Sequence, residues 1–333
     1  MRINRETLLK IAQDTVNQRV RRERGLISAY LCGSLLGESY LLGGTADIDL
    51  AFLHLDTPAM EREIVRLTDE VHLDIAHHAQ KEFNQVRRLR THPWLGPTLA
   101  TCKVLYDPQH FLDFTQASVR GQFDRADYVL ERARLQAEHA RQIWLAFYRQ
   151  APSEPGPREL GQYLRAVSHA ANAIASLDGP PLTERRLLLE FPKRAQGVGK
   201  PGLYFGLLGL LGAPQVDAAT LRLWLDDWQA ALEQVGENPP ARLHPARLAY
   251  YRRAFEALLE GAEALAVLWP LLRTWTEAAD RLPPGSAAPE AWAAAMQRLG
   301  LGQAGFASRV EALDAFLDMV EETLENWGRA AGV

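Results

Sequence analysis

Residues 26–53, LISAYLCGSLLGESYLLGGTADIDLAFL, constrain this chain more than any other stretch. They read as an apolar strand, a tight Gly33-Ser34 turn, a connection of small residues, and a second apolar strand that opens with Asp47-Ile48-Asp49. Side chains alternate across a strand, so Asp47 and Asp49 share one face while Ile48, Leu50 and Phe52 take the other. A strand that otherwise wants burial therefore presents two carboxylates side by side. That is costly unless a cation neutralises them.

A third carboxylate fits the same scheme. In the strand-like run 71–76, VHLDIA, alternation puts Asp74 on one face with His72 and Ala76, and Leu73 and Ile75 on the other. If the two strands are neighbours, Asp74 completes a cluster with Asp47 and Asp49. Three converging carboxylates suit a hard divalent cation such as Mg²⁺, which takes oxygen ligands and leaves positions for phosphates and water. Gly33-Ser34 supplies the complement, because glycine lets backbone approach a ligand and the N–H groups opening a helix favour phosphate. The adjacent His77 and His78 face opposite ways in a strand and cannot chelate one ion.

Gly33-Ser34, twelve residues, Asp47-Ile48-Asp49, then a strand Asp at 74: this ordered set resembles the nucleotidyltransferase superfamily typified by DNA polymerase beta and kanamycin nucleotidyltransferase. The resemblance spans residues 20–110. It implies an α/β nucleotidyltransferase-like mixed sheet over 1–121, followed by a helical substrate-binding or interaction domain over 122–333 that closes over the cleft. It also implies an enzyme that moves a nucleoside monophosphate, AMP from ATP or another nucleoside triphosphate, onto a hydroxyl of a small acceptor such as an aminoglycoside-like antibiotic. Asp47, Asp49 and Asp74 would hold two Mg²⁺ ions, Asp74 would draw the acceptor proton, and Gly33 and Ser34 would bind β/γ-phosphate oxygens. Two alternatives stand beside it: a regulatory or antitoxin-like domain acting on or through a protein partner, and a transferase acting on RNA ends. Ala46 stands where the family often has Ser, and no Arg or Lys lies between Ser34 and Asp47, where many members carry one. The basic run 191–200, FPKRAQGVGK, read as a loop, is a candidate replacement.

Composition bounds the rest. A chain of 333 residues suggests two domains, and 47% hydrophobic with 23% charged residues describes a globular protein. Two cysteines make no disulfide framework and suggest a reducing cytoplasm. The longest apolar run, 203–213, is too short and glycine-rich to span a bilayer. The net charge is −4, and basic and acidic residues balance over 1–123, which argues against a nucleic-acid partner.

Along the chain, periodicity predicts a helix at 4–24, and Thr57-Pro58 as cap and first turn predict another to about Glu70. Strands are expected at 71–77 and 101–106, with helices against one face of the sheet. Beyond Asp124 the pattern is helical throughout, over 124–149, 158–177, 183–196, 217–235, 244–280, 288–299 and 306–329, punctuated by proline and glycine near 151–157, 237–240 and 282–289. Seven of the eight tryptophans lie in this region, where packing between helices is their ordinary use.

Overall fold

The computed structural model describes residues 3–150, 152, 154–282 and 288–333. The punctuation expected at 151, 153 and 283–287 lies outside the described residues. Asn4 caps the first helix, α1 (Arg5–Arg22), by accepting from the Thr7 N–H, and Leu8, Ala12 and Val16 bury one face of it. Five strands follow: β1 (Leu26–Cys32), β2 (Ala46–His54), β3 (Arg62–Arg66), β4 (Val71–Ala79) and β5 (Lys103–Tyr106). They form one mixed sheet in the order β3-β4-β2-β1-β5, with β2 and β4 parallel and the other neighbours antiparallel.

The two faces of β2 divide the core. Ile48, Leu50 and Phe52 pack with Leu73, Ile75 and the buried stripe of α1. Ala51, Leu53 and Tyr30 pack on the opposite face, with Leu89, Leu99, Leu112 and Val119. Those four come from α2 (Val86–Thr91), α3 (Leu95–Thr101) and α4 (Phe111–Arg120). Helices thus cover both faces, not the one expected, because residues 86–120 fold into three helices too short to announce themselves by periodicity.

The helix expected over 57–70 is instead the edge strand β3 and its turn. Ile64 and Val65 are β-branched and alternate well against β4, with Ile64 opposite Asp74 and Val65 opposite Leu73. The Thr68 hydroxyl then accepts from the Glu70 and Val71 N–H groups, which closes the hairpin.

The first compact unit comprises Met1–Tyr128 together with six residues from far downstream, Ala249–Ala254. These six are built in by specific contacts. The Thr45 hydroxyl donates to the Tyr250 carbonyl at 3.3 Å, and Arg253 pairs with Glu70 at 2.8 Å. Gly43, at φ +60°, meets the Arg253 carbonyl so closely that a Cβ would lie 2.2 Å from its oxygen.

The second unit, Val129–Leu248 and Phe255–Val333, is helical. Its elements are most of α5 (Ala126–Arg149), then α6 (Pro157–Ala175), α7 (Leu187–Gly197), α8 (Gly202–Leu210), α9 (Ala218–Glu233), the later turns of α10 (Leu248–Glu260), α11 (Leu268–Ala279), α12 (Ala288–Arg298) and α13 (Phe306–Ala331). Trp228 and Trp275 are fully buried, and the Trp228 indole donates to the Thr274 hydroxyl at 2.8 Å. Arg141 on α5 reaches Asp314, Asp318 and Glu321 on successive turns of α13. The single helix expected over 244–280 breaks after Glu260 at an extended Gly261 and restarts at Leu268, with Pro270 in the first turn where no N–H is needed. The basic run expected as a loop is helical through Gly197. Among the described residues no helix is long and apolar enough to cross a membrane.

Candidate functional site

The end of β1 brings Cys32 into register with Asp49 on β2. The chain then turns at Gly33, at φ +76°, a conformation that L side chains rarely adopt. Space forbids one as well: a Cβ on Gly33 would fall 1.8 Å from Asp49 Oδ2. The Asp49 carboxylate therefore rests against bare backbone. Ser34 opens a single 3₁₀ turn, and Arg5 holds that turn to α1 by donating to the Leu35 and Leu36 carbonyls at 3.1 and 2.8 Å. The Ser34 hydroxyl is buried and has no hydrogen-bond partner among the described residues. An orphaned buried hydroxyl is costly, and it marks a place where a polar ligand gains.

The parallel register of β2 and β4 sets Asp47 opposite His72 and Asp49 opposite Asp74. Paired residues of neighbouring strands share a face, so the three acids lie on one face as alternation requires. Each has a different neighbour. Asp47 Oδ2 accepts from the Tyr250 hydroxyl at 2.7 Å, and the His72 ring stands edge-on to the Tyr250 ring at 4.7 Å. Asp74 is 2% exposed, and its two oxygens accept from Arg62 Nε at 2.5 Å and Nη2 at 2.7 Å. The acid expected to complete a metal site and to draw a proton is thus held in a two-pronged ion pair. Among the described residues no group of three His, Cys, Asp or Glu side chains is arranged to hold a metal ion.

The histidines separate. His77 bonds His54 through Nδ1 at 2.9 Å, and His78 bonds Glu82 at 3.0 Å, on opposite faces as alternation demands. Burial pushes the Cys32 thiol well up; the charges of Asp49 and Asp47 add to this, and that of Arg62 opposes it. Cys32 thus feels both acids of the pair and the guanidinium together.

The residues that could hold a divalent cation here are the two acids of β2. Asp47 and Asp49 offer hard carboxylate oxygens two residues apart on a strand, with the Asp49 carboxylate seated on the bare backbone of Gly33 and a buried hydroxyl in want of a partner at Ser34. Asp74, with its charge met by Arg62, belongs to the ion pair.

No known family model matches the chain, and no curated protein does.

Two residues of this site escape a reading of the sequence. Arg62 is hidden by the apparent helix over 57–70, although strict attention to Ile64-Val65 opposite a strand would reveal it. Tyr250 lies about 200 residues beyond Asp47 in a helical pattern, and nothing local distinguishes it from its neighbour Tyr251.

Proposed function

We propose that this chain is a Mg²⁺-dependent nucleotidyltransferase, which moves a nucleoside monophosphate, AMP from ATP, onto a hydroxyl of a small acceptor with release of pyrophosphate. The observation that carries this proposal is the contact of the Asp49 carboxylate with the bare backbone of Gly33, beside the unpartnered Ser34 hydroxyl. A turn and an acid pair this close suit a ligand that is itself half cation and half polyphosphate. Asp47 and Asp49 would hold the cation, with Tyr250 giving up its hydrogen bond to Asp47. Gly33 would let the Asp49 carboxylate sit against the turn, and Ser34 would donate its hydroxyl to a phosphate oxygen. Mg²⁺, when bound, neutralises charge on the triphosphate and on the departing pyrophosphate.

The test is a screen of hydroxyl-bearing acceptors with α-labelled nucleoside triphosphates and Mg²⁺, read as label transferred to the acceptor. Transfer that disappears in Asp47→Asn/Asp49→Asn supports the assignment. Equal transfer by that double variant contradicts it.

A further inference from the structure

We propose that Arg62 is the phosphate-binding cation of this site and that Asp74 is its positioning residue. This rests on the nucleotide-binding role proposed above for Asp47, Asp49 and the Gly33-Ser34 turn.

The geometry of the guanidinium carries the inference. Arginine has five N–H donors arranged as two forks, one made by Nε and Nη2 and one by Nη1 and Nη2. Asp74 occupies the first fork, with distances of 2.5 and 2.7 Å. The second stays open, since Nη1 makes no hydrogen bond among the described residues. The burial of the pair is lopsided in the same sense: the Asp74 side chain is 2% exposed and the Arg62 side chain 50%. A buried carboxylate that grips one side of a half-exposed guanidinium fixes the plane and direction of the other side.

Position agrees with this. Arg62 sits on the edge strand β3, and Asp74 is in register with Asp49 on β2. The charges of Arg62, Asp47 and Asp49 all act on the Cys32 thiol. A polyphosphate brought to two carboxylates suffers repulsion that one divalent cation does not fully cancel, and a fixed guanidinium beside them supplies the missing positive charge. Its open fork matches two oxygens of one phosphate group. Asp74 accordingly acts through Arg62, with both of its oxygens accepting from the guanidinium.

The ligand class is the pyrophosphate moiety, either within a nucleoside triphosphate or as the released product, and adenosine lacks it. The experiment is calorimetric titration of the full chain in Mg²⁺ with inorganic pyrophosphate, with ATP and with adenosine. Arg62→Gln alone would remove the cation beside the buried Asp74 carboxylate, so the informative variants are Arg62→Lys and the double Arg62→Gln/Asp74→Asn, each first shown to keep a cooperative unfolding transition. Arg62→Lys keeps the charge and loses the fork, and pyrophosphate should bind roughly tenfold more weakly; the double variant should lose roughly 10–100-fold. Adenosine binding should not change in either. Asp74→Asn, which keeps Arg62 but frees it, should weaken pyrophosphate and leave adenosine unchanged, an outcome that a purely structural role for Asp74 does not give. Pyrophosphate binding by the double variant equal to wild type overturns the Arg62 assignment alone. A wild-type chain that binds neither pyrophosphate nor ATP overturns the nucleotide site on which it rests as well.

Discussion

The Tyr250 hydroxyl donates to Asp47 Oδ2 at 2.7 Å across 203 residues of sequence. The bond joins a segment from the helical half of the chain to the acid end of a strand near the N-terminus. The same segment is tied in again through Thr45, Glu70 and the bare α-carbon of Gly43. The first unit is therefore incomplete as a contiguous stretch of chain.

Removing that hydroxyl should weaken the fold. Tyr250→Phe keeps the ring against His72 and deletes the hydroxyl that donates to Asp47. The expected loss is about 1.5–3 kcal/mol, the range for a hydrogen bond to a charged group. Urea unfolding followed by tryptophan fluorescence measures it. Wild-type stability in Tyr250→Phe would show that the bond contributes nothing.

Gly33→Ala should separate folding from binding. The substitution forces a side chain into φ +76° with an extended ψ, a region that is essentially glycine-only, at a cost of roughly 1–3 kcal/mol, and drives its Cβ into the Asp49 carboxylate. The protein should still fold, with a lowered melting temperature, because the clash ends at one movable side chain. The rise in melting temperature caused by Mg²⁺ with a nucleoside triphosphate should vanish. Retention of that rise in Gly33→Ala would show that the turn does not border the ligand.

How much of this site the sequence discloses depends on the range of the contact. β1, β2 and β4 are legible because alternation is a local signal, and with it the common face of Asp47, Asp49 and Asp74. Most helices of the second unit are legible for the same reason at a period of 3.6, although α8, in the apolar run 203–213, and the break between α10 and α11 are not. Arg62 is lost because Thr57-Pro58 imitates a helix start, while the pairing that makes 62–66 a strand lies across the sheet in β4. Helices α2 to α4 are lost because six to ten residues hold too few turns for a periodic stripe. Tyr250 is lost because its partner is far away, and a tyrosine on a helix is usually just packing.

Acid should destabilise the chain through its histidines. His54, His77 and His169 all have lowered pKa values, chiefly from burial, His169 to about 4. A histidine whose folded pKa lies below its unfolded value takes up protons more readily when unfolded. Stability is therefore fully present above about 6.5 and is lost as the pH falls below it, down to about 4 for His169. Urea midpoints at a series of pH values across this window should fall steadily. His169→Gln, which can still donate to Gln136, should flatten the dependence. An unchanged slope in that variant would place the acid sensitivity elsewhere.

The central claim is that Asp47 and Asp49 hold a cation that carries a nucleotide. Calorimetric titration of wild type and of Asp47→Asn/Asp49→Asn with ATP, each with Mg²⁺ and with chelator, tests it most directly. The account predicts wild-type binding that depends on Mg²⁺ and is abolished in the double variant, with both proteins folded. ATP binding of equal strength in the two proteins, or wild-type binding that is indifferent to the metal, would contradict it.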